Sequence, residues 1–296
     1  MKDSFSTYHP LINFLYFALV LVFAMFLMHP VCLAISCMSA FAYSVYLNKR
    51  KAIRFGVRVL LPMMLFTALL NPAFNHEGVN ILAYLPSGNP LTFESIAYGV
   101  AAAVMMMAVM NWFSCFNVVM TADKFVYLFG RAIPALSLIL SMSLRFVPRF
   151  KAQIKVVANA QRCIGRDVSS GNILQRARHG IRILSIMVTW ALENAIETAD
   201  SMKSRGYGLA GRTAFSIFRF DRRDRLALAY LLAIGVYVII GAGQGGMYFR
   251  YFPTVKGVDL SPYTASMFAA YAALCLLPLI LNVREDFKWK VIRSKI

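Results

Sequence analysis

Apolar stretches about as long as a membrane is thick recur along this chain. Six of them come close to the roughly 20 residues that an α-helix needs to cross a bilayer. They lie at residues 11–28, 31–47, 55–70, 96–113, 226–240 and 265–281. Backbone polar groups inside a bilayer must pair within the chain, and no alternating strand pattern competes with helices. The pattern predicts an all-α, polytopic membrane protein with about six transmembrane helices.

The connections between these stretches differ in charge. Residues 48–58 carry Lys49, Arg50, Lys51, Arg54 and Arg58, whereas residues 71–93 carry no Lys or Arg. Because short cytoplasmic loops collect basic residues, the first connection is assigned to the inside and the second to the outside. Alternation then places both termini and residues 114–225 in the cytoplasm. We predict three segments: membrane helices at 1–113, a cytoplasmic or interfacial domain at 114–225, and membrane helices with a basic tail at 226–296.

One further apolar stretch, residues 125–147, is long enough to span but contains Arg131 and Pro134. If it crossed, the basic residues that follow it would face outward, against the charge rule. We therefore expect it to be re-entrant or to lie at the inner leaflet.

Composition supports the membrane class and narrows the function. Hydrophobic residues make up 59% of the 296 positions, above the roughly 45–50% of soluble domains. The net charge is +18, and the basic residues that cause it cluster beside apolar stretches. This placement favours anionic lipid over nucleic acid as their partner. The sequence contains no G-x-x-x-x-G-K-[ST] phosphate loop, and its four His residues form no metal-binding spacing. We therefore expect no cofactor or metal bound by this chain.

A first amphipathic helix is predicted at residues 148–164. Pro148 suits a first helical position, and Gly165 suits the left-handed residue beyond the end. One face carries apolar side chains and a neighbouring face carries a basic stripe. The apolar residues are Phe150, Ile154, Val157 and Ile164, and the basic ones are Lys151, Lys155 and Arg162.

A second, longer helix is predicted to begin after Asn172, which forms a capping pair with Gln175, and to end near Arg205, before Gly206 and Gly208. One face is apolar, through Ile173, Ala177, Ile181, Leu184, Val188, Ala191, Ala195 and Met202. Another face carries the acidic residues Glu193, Glu197 and Asp200. We hypothesise that these three pair with the basic stripe of the first helix. Arg205 either neutralises the helix dipole or enters an acidic pocket of another protein.

The ends of both helices resemble those of the T component of energy-coupling factor (ECF) transporters. The similar sequences are NAQRCIGR at 159–166, ADSMKSRGYG at 199–208 and the lead-in PALSLILSMSLRFVP at 134–148, with Asp123, Lys124 and residues 211–213 fitting the same pattern. In that family each helix ends in a short Ala-Arg-Gly-like motif. Here Ser204 stands where alanine is usual, and Ile164 stands where arginine is expected, leaving Arg162 or Arg166 to supply the first charge.

The resemblance implies a complex with two cytoplasmic ABC ATPases, which bind ATP and Mg²⁺, and a small substrate-binding membrane subunit, the S subunit. Its cargo would be a vitamin or a metal ion, and its location a bacterial cell membrane. The implied ATPase contacts are Ser204, Arg205 and Gly206 at one tip and Arg162, Gly165 and Arg166 at the other. The implied contacts with the S subunit are the apolar faces, through Ile154, Val157, Leu184, Val188 and Ala191.

Two other classes of function are open to the sequence. A secondary transporter would work without ATPases, although these spans carry almost no ionisable residues. An enzyme acting on lipid-linked substrates at the inner leaflet would use Glu193, Glu197 or Asp200 as an acid or a metal ligand. No cluster of carboxylates facing a polar pocket is evident for that role.

Overall fold

The computed structural model describes residues 3–84, 90–130, 133–207, 209, 218–259 and 261–294. The chain forms two compact units, one of Met1–Lys124 with Phe218–Ile296 and one of Phe125–Ile217. The predicted first and third segments therefore belong to one unit. The reason is that the last long helix, Pro262–Arg293, packs against the helices Pro30–Asn48 and Arg222–Gly243. The second unit lies within the predicted segment 114–225.

Among its described residues, the regular structure of the first unit is helical apart from two short antiparallel ribbons, and it starts with a 3₁₀ turn at Phe5–Thr7. Its helices are α1 (Pro10–Phe26), α2 (Pro30–Asn48), α3 (Arg50–Phe55), a π-helical turn (Gly56–Leu60), α4 (Leu61–Phe74), α5 (Phe93–Val119), α6 (Ala122–Gly130), which runs on into the second unit, α9 (Arg222–Gly243) and α10 (Pro262–Arg293). Strands β1 (Ile81–Tyr84) and β2 (Pro90–Thr92) pair with each other, as do β3 (Phe249–Arg250) and β4 (Lys256–Gly257). The second unit holds α7 (Pro134–Cys163) and α8 (Ile173–Ser204).

Among the described residues, five helices are long and apolar enough to cross a membrane. They are α2, the continuous helix Arg50–Phe74, α5, α9 and α10. The remaining predicted span, residues 11–28, corresponds to α1, which is apolar but has only 17 residues. The predicted all-α class is confirmed.

Aromatic side chains and paired polar groups fill the core of the first unit. Tyr16, Phe17 and Trp112 are fully buried and meet edge to face. The indole N–H of Trp112 donates to Ser36 Oγ at 3.0 Å, and the hydroxyl of Tyr16 donates to the carbonyl of Cys275 at 3.0 Å. Because unpaired polar groups are costly away from water, these hydrogen bonds fix how α1, α2, α5 and α10 pack.

The N-terminal segment is tied to α2 and α10 by a buried polar cluster. Tyr43 donates its hydroxyl to Asp3 Oδ2 at 3.1 Å, and the amide of Asn282 donates to Asp3 Oδ1. The backbone N–H of Ser4 donates in turn to Asn282 Oδ1 at 2.7 Å. Asp3 and Ser4 are thus held against α2 and α10.

Lys124 joins the same cluster at the point where the chain leaves the first unit. Its buried ammonium donates to the carbonyls of Ser6 and of Val119, the latter at 2.9 Å. Burial lowers the pKa of Lys124, and the charge of Asp3 opposes that shift. The point of return is held as well, since Asp224 Oδ1 accepts from the backbone N–H of His9 at 3.2 Å.

The first amphipathic helix was predicted to begin at Pro148, and this prediction is wrong. Pro148 lies inside α7, a 30-residue helix that begins at Pro134. Pro134 fills the first-turn position, where a missing N–H costs nothing. Proline lacks the N–H that would bond four residues back, so the helix continues past Pro148 without that hydrogen bond. Residues 125–147 form no single helix, since α6 ends at Gly130 and α7 begins at Pro134.

We predict that Lys124→Met destabilises the first unit. The substitution keeps an unbranched side chain of similar size but leaves the carbonyls of Ser6 and Val119 without their donor, at a cost of about 1–3 kcal/mol. Thermal unfolding of the purified full-length chain in detergent measures the effect. Lys256→Met, at an exposed lysine of β4, is the matched control. Equal melting temperatures for the two variants would show that the cluster does not depend on Lys124.

Candidate functional site

Helices α7 and α8 end with the same backbone motif. Gly165 and Gly206 both take positive φ angles, 76° and 73°. Beyond α7, the N–H of Gly165 donates to the carbonyl of Arg162 at 3.0 Å and that of Arg166 to Gln161 at 2.9 Å. Beyond α8, the N–H of Gly206 donates to Lys203 at 2.9 Å and that of Tyr207 to Met202 at 3.0 Å. Each pair of bonds forms a Schellman motif, which closes a helix at a left-handed glycine.

These matching ends fix which residues occupy equivalent positions. Arg205 is the C-cap of α8, and the C-cap of α7 is Ile164. Neither arginine of the first tip therefore stands where Arg205 stands. Arg162 corresponds to Lys203, two residues before the C-cap, and Arg166 corresponds to Tyr207, just beyond the glycine.

The two arginines of the first tip differ in their surroundings. Arg162 Nε lies 3.3 Å from Asp167 Oδ2, in a pair whose arginine side chain is 71% exposed. Ser169 donates its hydroxyl to the Asp167 carboxylate at 2.6 Å and its N–H at 3.0 Å. These bonds lower the pKa of Asp167, because they stabilise its ionised carboxylate. Arg166 is exposed and makes no ion pair with any residue that the structure describes.

The second tip presents its charge directly to solvent. Lys203, Ser204 and Arg205 are all exposed, and the hydroxyl of Ser204 donates back to the carbonyl of Ser201 at 2.9 Å. The C-terminus of a helix carries a partial negative charge, which favours a cation there. Arg205 therefore lies at a favourable position without being held by an acidic side chain in the described part of the chain.

An apolar core joins the two helices. Val157 of α7 packs against Ile183 and Met187 of α8. Phe150 and Trp190 extend the contact, with their rings edge to face and 5.4 Å apart. This contact uses only one side of α8, and Val157 therefore lies between the helices rather than on an outer face.

The opposite side of α8 is apolar and exposed. Leu184 is 62% exposed and Val188 is 51% exposed. The same outer stripe continues at three- and four-residue spacing, through Ile181, Leu192 and Ile196. Of the other residues predicted to contact an S subunit, Ile154 is exposed and Ala191 is half-buried. Large exposed apolar patches typically mark a partner or lipid.

The structure does not pair the two charged stripes. Glu193, Glu197 and Asp200 are exposed, and within the described ranges none lies within 4.0 Å of a basic nitrogen. Lys151 and Lys155 instead line an open groove of about 570 Å³ with Pro148 and Ile154. The interhelix salt bridge stays a prediction. Nor do three His, Cys, Asp or Glu side chains group as a metal site anywhere in the described chain.

Two residues of this site were not singled out from the sequence. Trp190 fills the end of the interhelix core, and the guanidinium of Arg149 lies 5.5 Å from the centre of its ring. The position of Trp190, seven residues after Ile183, is the signal that could have identified it. Arg131, Gly208 and residues 211–213, which entered the sequence argument, lie outside the described residues.

Comparison with known proteins gives one consistent result. Residues 3–215 match the family described as cobalt transport protein, CbiQ. A protein of Lactobacillus helveticus named energy-coupling factor transporter transmembrane protein EcfT is 30% identical over 200 residues, covering 62% of this chain and 70% of its own length. The protein of the same name from Streptococcus thermophilus is 28% identical over 206 residues, covering 66% and 78%. That of Lacticaseibacillus paracasei is 35% identical over 112 residues, covering 37% and 42%.

We predict that Met187→Ala loosens the contact between α7 and α8. Met187 is only 5% exposed, and truncating a buried methionine costs about 2–5 kcal/mol. Amide hydrogen exchange across residues 173–204 of the full-length chain should therefore accelerate. Leu192→Ala, on the exposed stripe of the same helix, is the control and should leave exchange unchanged. Equal exchange in the two variants would show that the interhelix core does not hold α8.

Proposed function

Because the chain belongs to the cobalt transport protein (CbiQ) family, we propose that it is the coupling subunit of an ATP-driven importer of the ECF type. It is a multi-pass membrane protein and the transmembrane component of such a transporter. In the proposal, it passes the motion of two cytoplasmic ATPases to an S subunit that binds a vitamin or a metal ion. ATP and Mg²⁺ bind the ATPases, and this chain catalyses no reaction.

The observation that carries the proposal is the pair of identically capped tips. Two long helices, packed on each other, end in the same Schellman motif with exposed arginines beside it. Two projections with the same backbone motif suit two similar partners, such as a pair of ATPases. An arginine that enters an acidic groove makes charge-assisted, two-pronged hydrogen bonds with carboxylates.

Arg205 is the proposed anchor of the second tip, with Ser204 and Gly206 against the ATPase surface. For the first tip we propose Arg166 rather than Arg162. Arg162 is already paired with Asp167, whereas Arg166 is exposed beyond Gly165 and forms no ion pair with a described residue. An exposed ion pair contributes at most about 1 kcal/mol of stability, so the pair with Asp167 favours this position of Arg162 but can open.

The interhelix core supplies rigidity in this mechanism. Val157, near the end of α7, packs against Ile183 and Met187 in the middle part of α8, so a displacement of the tips moves both helices together. The outer stripe with Leu184 and Val188 is the surface that we propose contacts the S subunit. Its apolar side chains suit a neighbouring membrane protein, since an exposed apolar patch is stabilised by burial against one. Closure of the ATPases would then tilt or release that subunit.

The charge distribution supports a cytoplasmic position for this unit. Basic residues concentrate between 114 and 225 and after residue 281, while the outer connection 71–93 has none. Cytoplasmic loops collect Lys and Arg, so both termini and both tips are proposed to lie on the ATPase side. Neither α7 nor α8 is among the described helices that are apolar enough to span the membrane.

Charge reversal at Arg205 tests the proposal. Arg205→Glu would place a carboxylate against an acidic groove, and losing one partner of a desolvated charge pair costs about 2–5 kcal/mol. We expect the variant to insert normally, to lose the co-purifying ATPases and to abolish uptake in cells. Lys203→Glu makes the same charge change on an exposed residue two positions earlier and should keep both.

The outcome that would contradict the proposal is normal uptake and normal ATPase recovery with Arg205→Glu. Equal losses in Arg205→Glu and Lys203→Glu would also count against it, because they would indicate a general effect of charge at the tip. The first tip is compared in the same way, with Arg166→Glu expected to be more harmful than Arg162→Glu.

A further inference from the structure

A basic groove lies at the start of the second long hydrophobic helix of the first unit. Arg50, Arg54 and Arg58 follow one another at four-residue intervals through α3 and the π-helical turn. Together with Ile53 and Val57 they line an open groove of about 240 Å³. π-Helical turns inside helices are uncommon and frequently occur at functional sites. Three guanidinium groups and two aliphatic side chains thus share one surface.

The charge of this groove is not balanced within the chain. Arg50, Arg54 and Arg58 are exposed, and none forms an ion pair with another described residue. The sequence contains no Asp or Glu between Asp3 and Glu77. A ligand that complements this groove is therefore anionic, and guanidinium groups are well suited to bind phosphate oxygens through paired hydrogen bonds.

The helix that follows the groove shows what kind of anion fits. Arg50–Phe74 is 25 residues long, and only 6% of its most apolar window is buried within the chain. Leu61, Leu65 and Phe66 continue the exposed apolar surface directly from Ile53 and Val57. The surface of this helix is therefore cationic at its start and apolar further along. A phospholipid matches this order, since its phosphate lies at the membrane interface and its acyl chains lie in the hydrocarbon core.

We infer that this groove binds an anionic phospholipid of the adjoining leaflet. Arg50, Arg54 and Arg58 hold the lipid phosphate, while Ile53 and Val57 contact the beginning of the acyl chains. The inference rests on the charge and the apolar continuation of this helix, and it does not depend on ATPase coupling. It makes the groove a lipid site that anchors the N-terminal end of a span.

The experiment uses the purified full-length chain in detergent micelles, titrated with phosphatidylglycerol or with phosphatidylcholine. Native mass spectrometry counts the lipids bound. We expect phosphatidylglycerol to bind more tightly than phosphatidylcholine. Each basic side chain near an anionic lipid surface contributes roughly fivefold, so the double variant R54Q/R58Q should bind phosphatidylglycerol about thirtyfold more weakly.

The control variant K51Q/K288Q removes the same charge from exposed lysines that do not line the groove. It should retain phosphatidylglycerol binding, as should the conservative variant R54K/R58K to within a few fold. Equal losses in R54Q/R58Q and K51Q/K288Q would overturn the site, because they would show a general charge effect.

Two soluble probes separate lipid from free phosphate. Inorganic phosphate and glycerol 3-phosphate should not compete with phosphatidylglycerol at millimolar concentration, since they lack the acyl chains that Ile53 and Val57 contact. The variant I53N/V57N should weaken phosphatidylglycerol binding while leaving the arginines in place. Competition by inorganic phosphate, or unchanged lipid binding in I53N/V57N, would overturn the assignment to a lipid.

Discussion

Helix α8 is apolar on two opposite sides, and the chain buries only one of them. The inner side, with Ile183 and Met187, packs on α7 and makes the two helices a single body. The outer side, with Leu184 and Val188, remains exposed. A helix that is apolar nearly all round is stable when both sides are buried, so we expect lipid or another protein to contact the outer side. The proposed function follows from this constraint, because one side of α8 gives rigidity and the other is available to a neighbour.

Buried hydrogen bonds in the first unit fix the two places where the chain leaves this unit and returns to it. Lys124 lies at the exit and Asp224 near the return, and both bond to the N-terminal segment. That segment is in turn held by Asn282 of α10. Buried polar groups of this kind are costly when unpaired, so the cluster specifies one arrangement of the helix ends. The chain that enters the second unit therefore starts from a defined position in the first.

The sequence predicted much of this architecture because long apolar runs and terminal caps are local signals. Five of the six candidate spans, the capping pair Asn172 with Gln175, and the glycine ends at Gly165 and Gly206 are present in the described chain. The start of α7 was missed because a proline suits either the first turn or, at the cost of one hydrogen bond, the interior, and sequence spacing does not separate the two.

Which sector of α8 packs inward could not be predicted from periodicity. Residues 183–192 are apolar nearly all round, so several faces fit the pattern equally well, and the choice depends on the shape of α7. Val157 was predicted to contact an S subunit, and it packs instead between α7 and α8, because an apolar position on a helix does not show which neighbour covers it. The polar cluster around Asp3 joins residues more than 270 positions apart, and no local pattern reports such contacts.

The proposed function depends on which protein contacts the ends of α7 and α8. Cys163 offers a direct measurement, because it is the last residue of α7 and is exposed, whereas Cys32, Cys115 and Cys275 are buried. A thiol-directed photo-crosslinker attached to Cys163 in membrane vesicles, followed by mass spectrometry, identifies its neighbour. We expect an adduct with a nucleotide-hydrolysing subunit, and we expect the crosslinker to reach Cys163 only from the cytoplasmic side. Labelling of Cys163 from outside intact cells, or adducts that contain no nucleotide hydrolase, would contradict the proposed function.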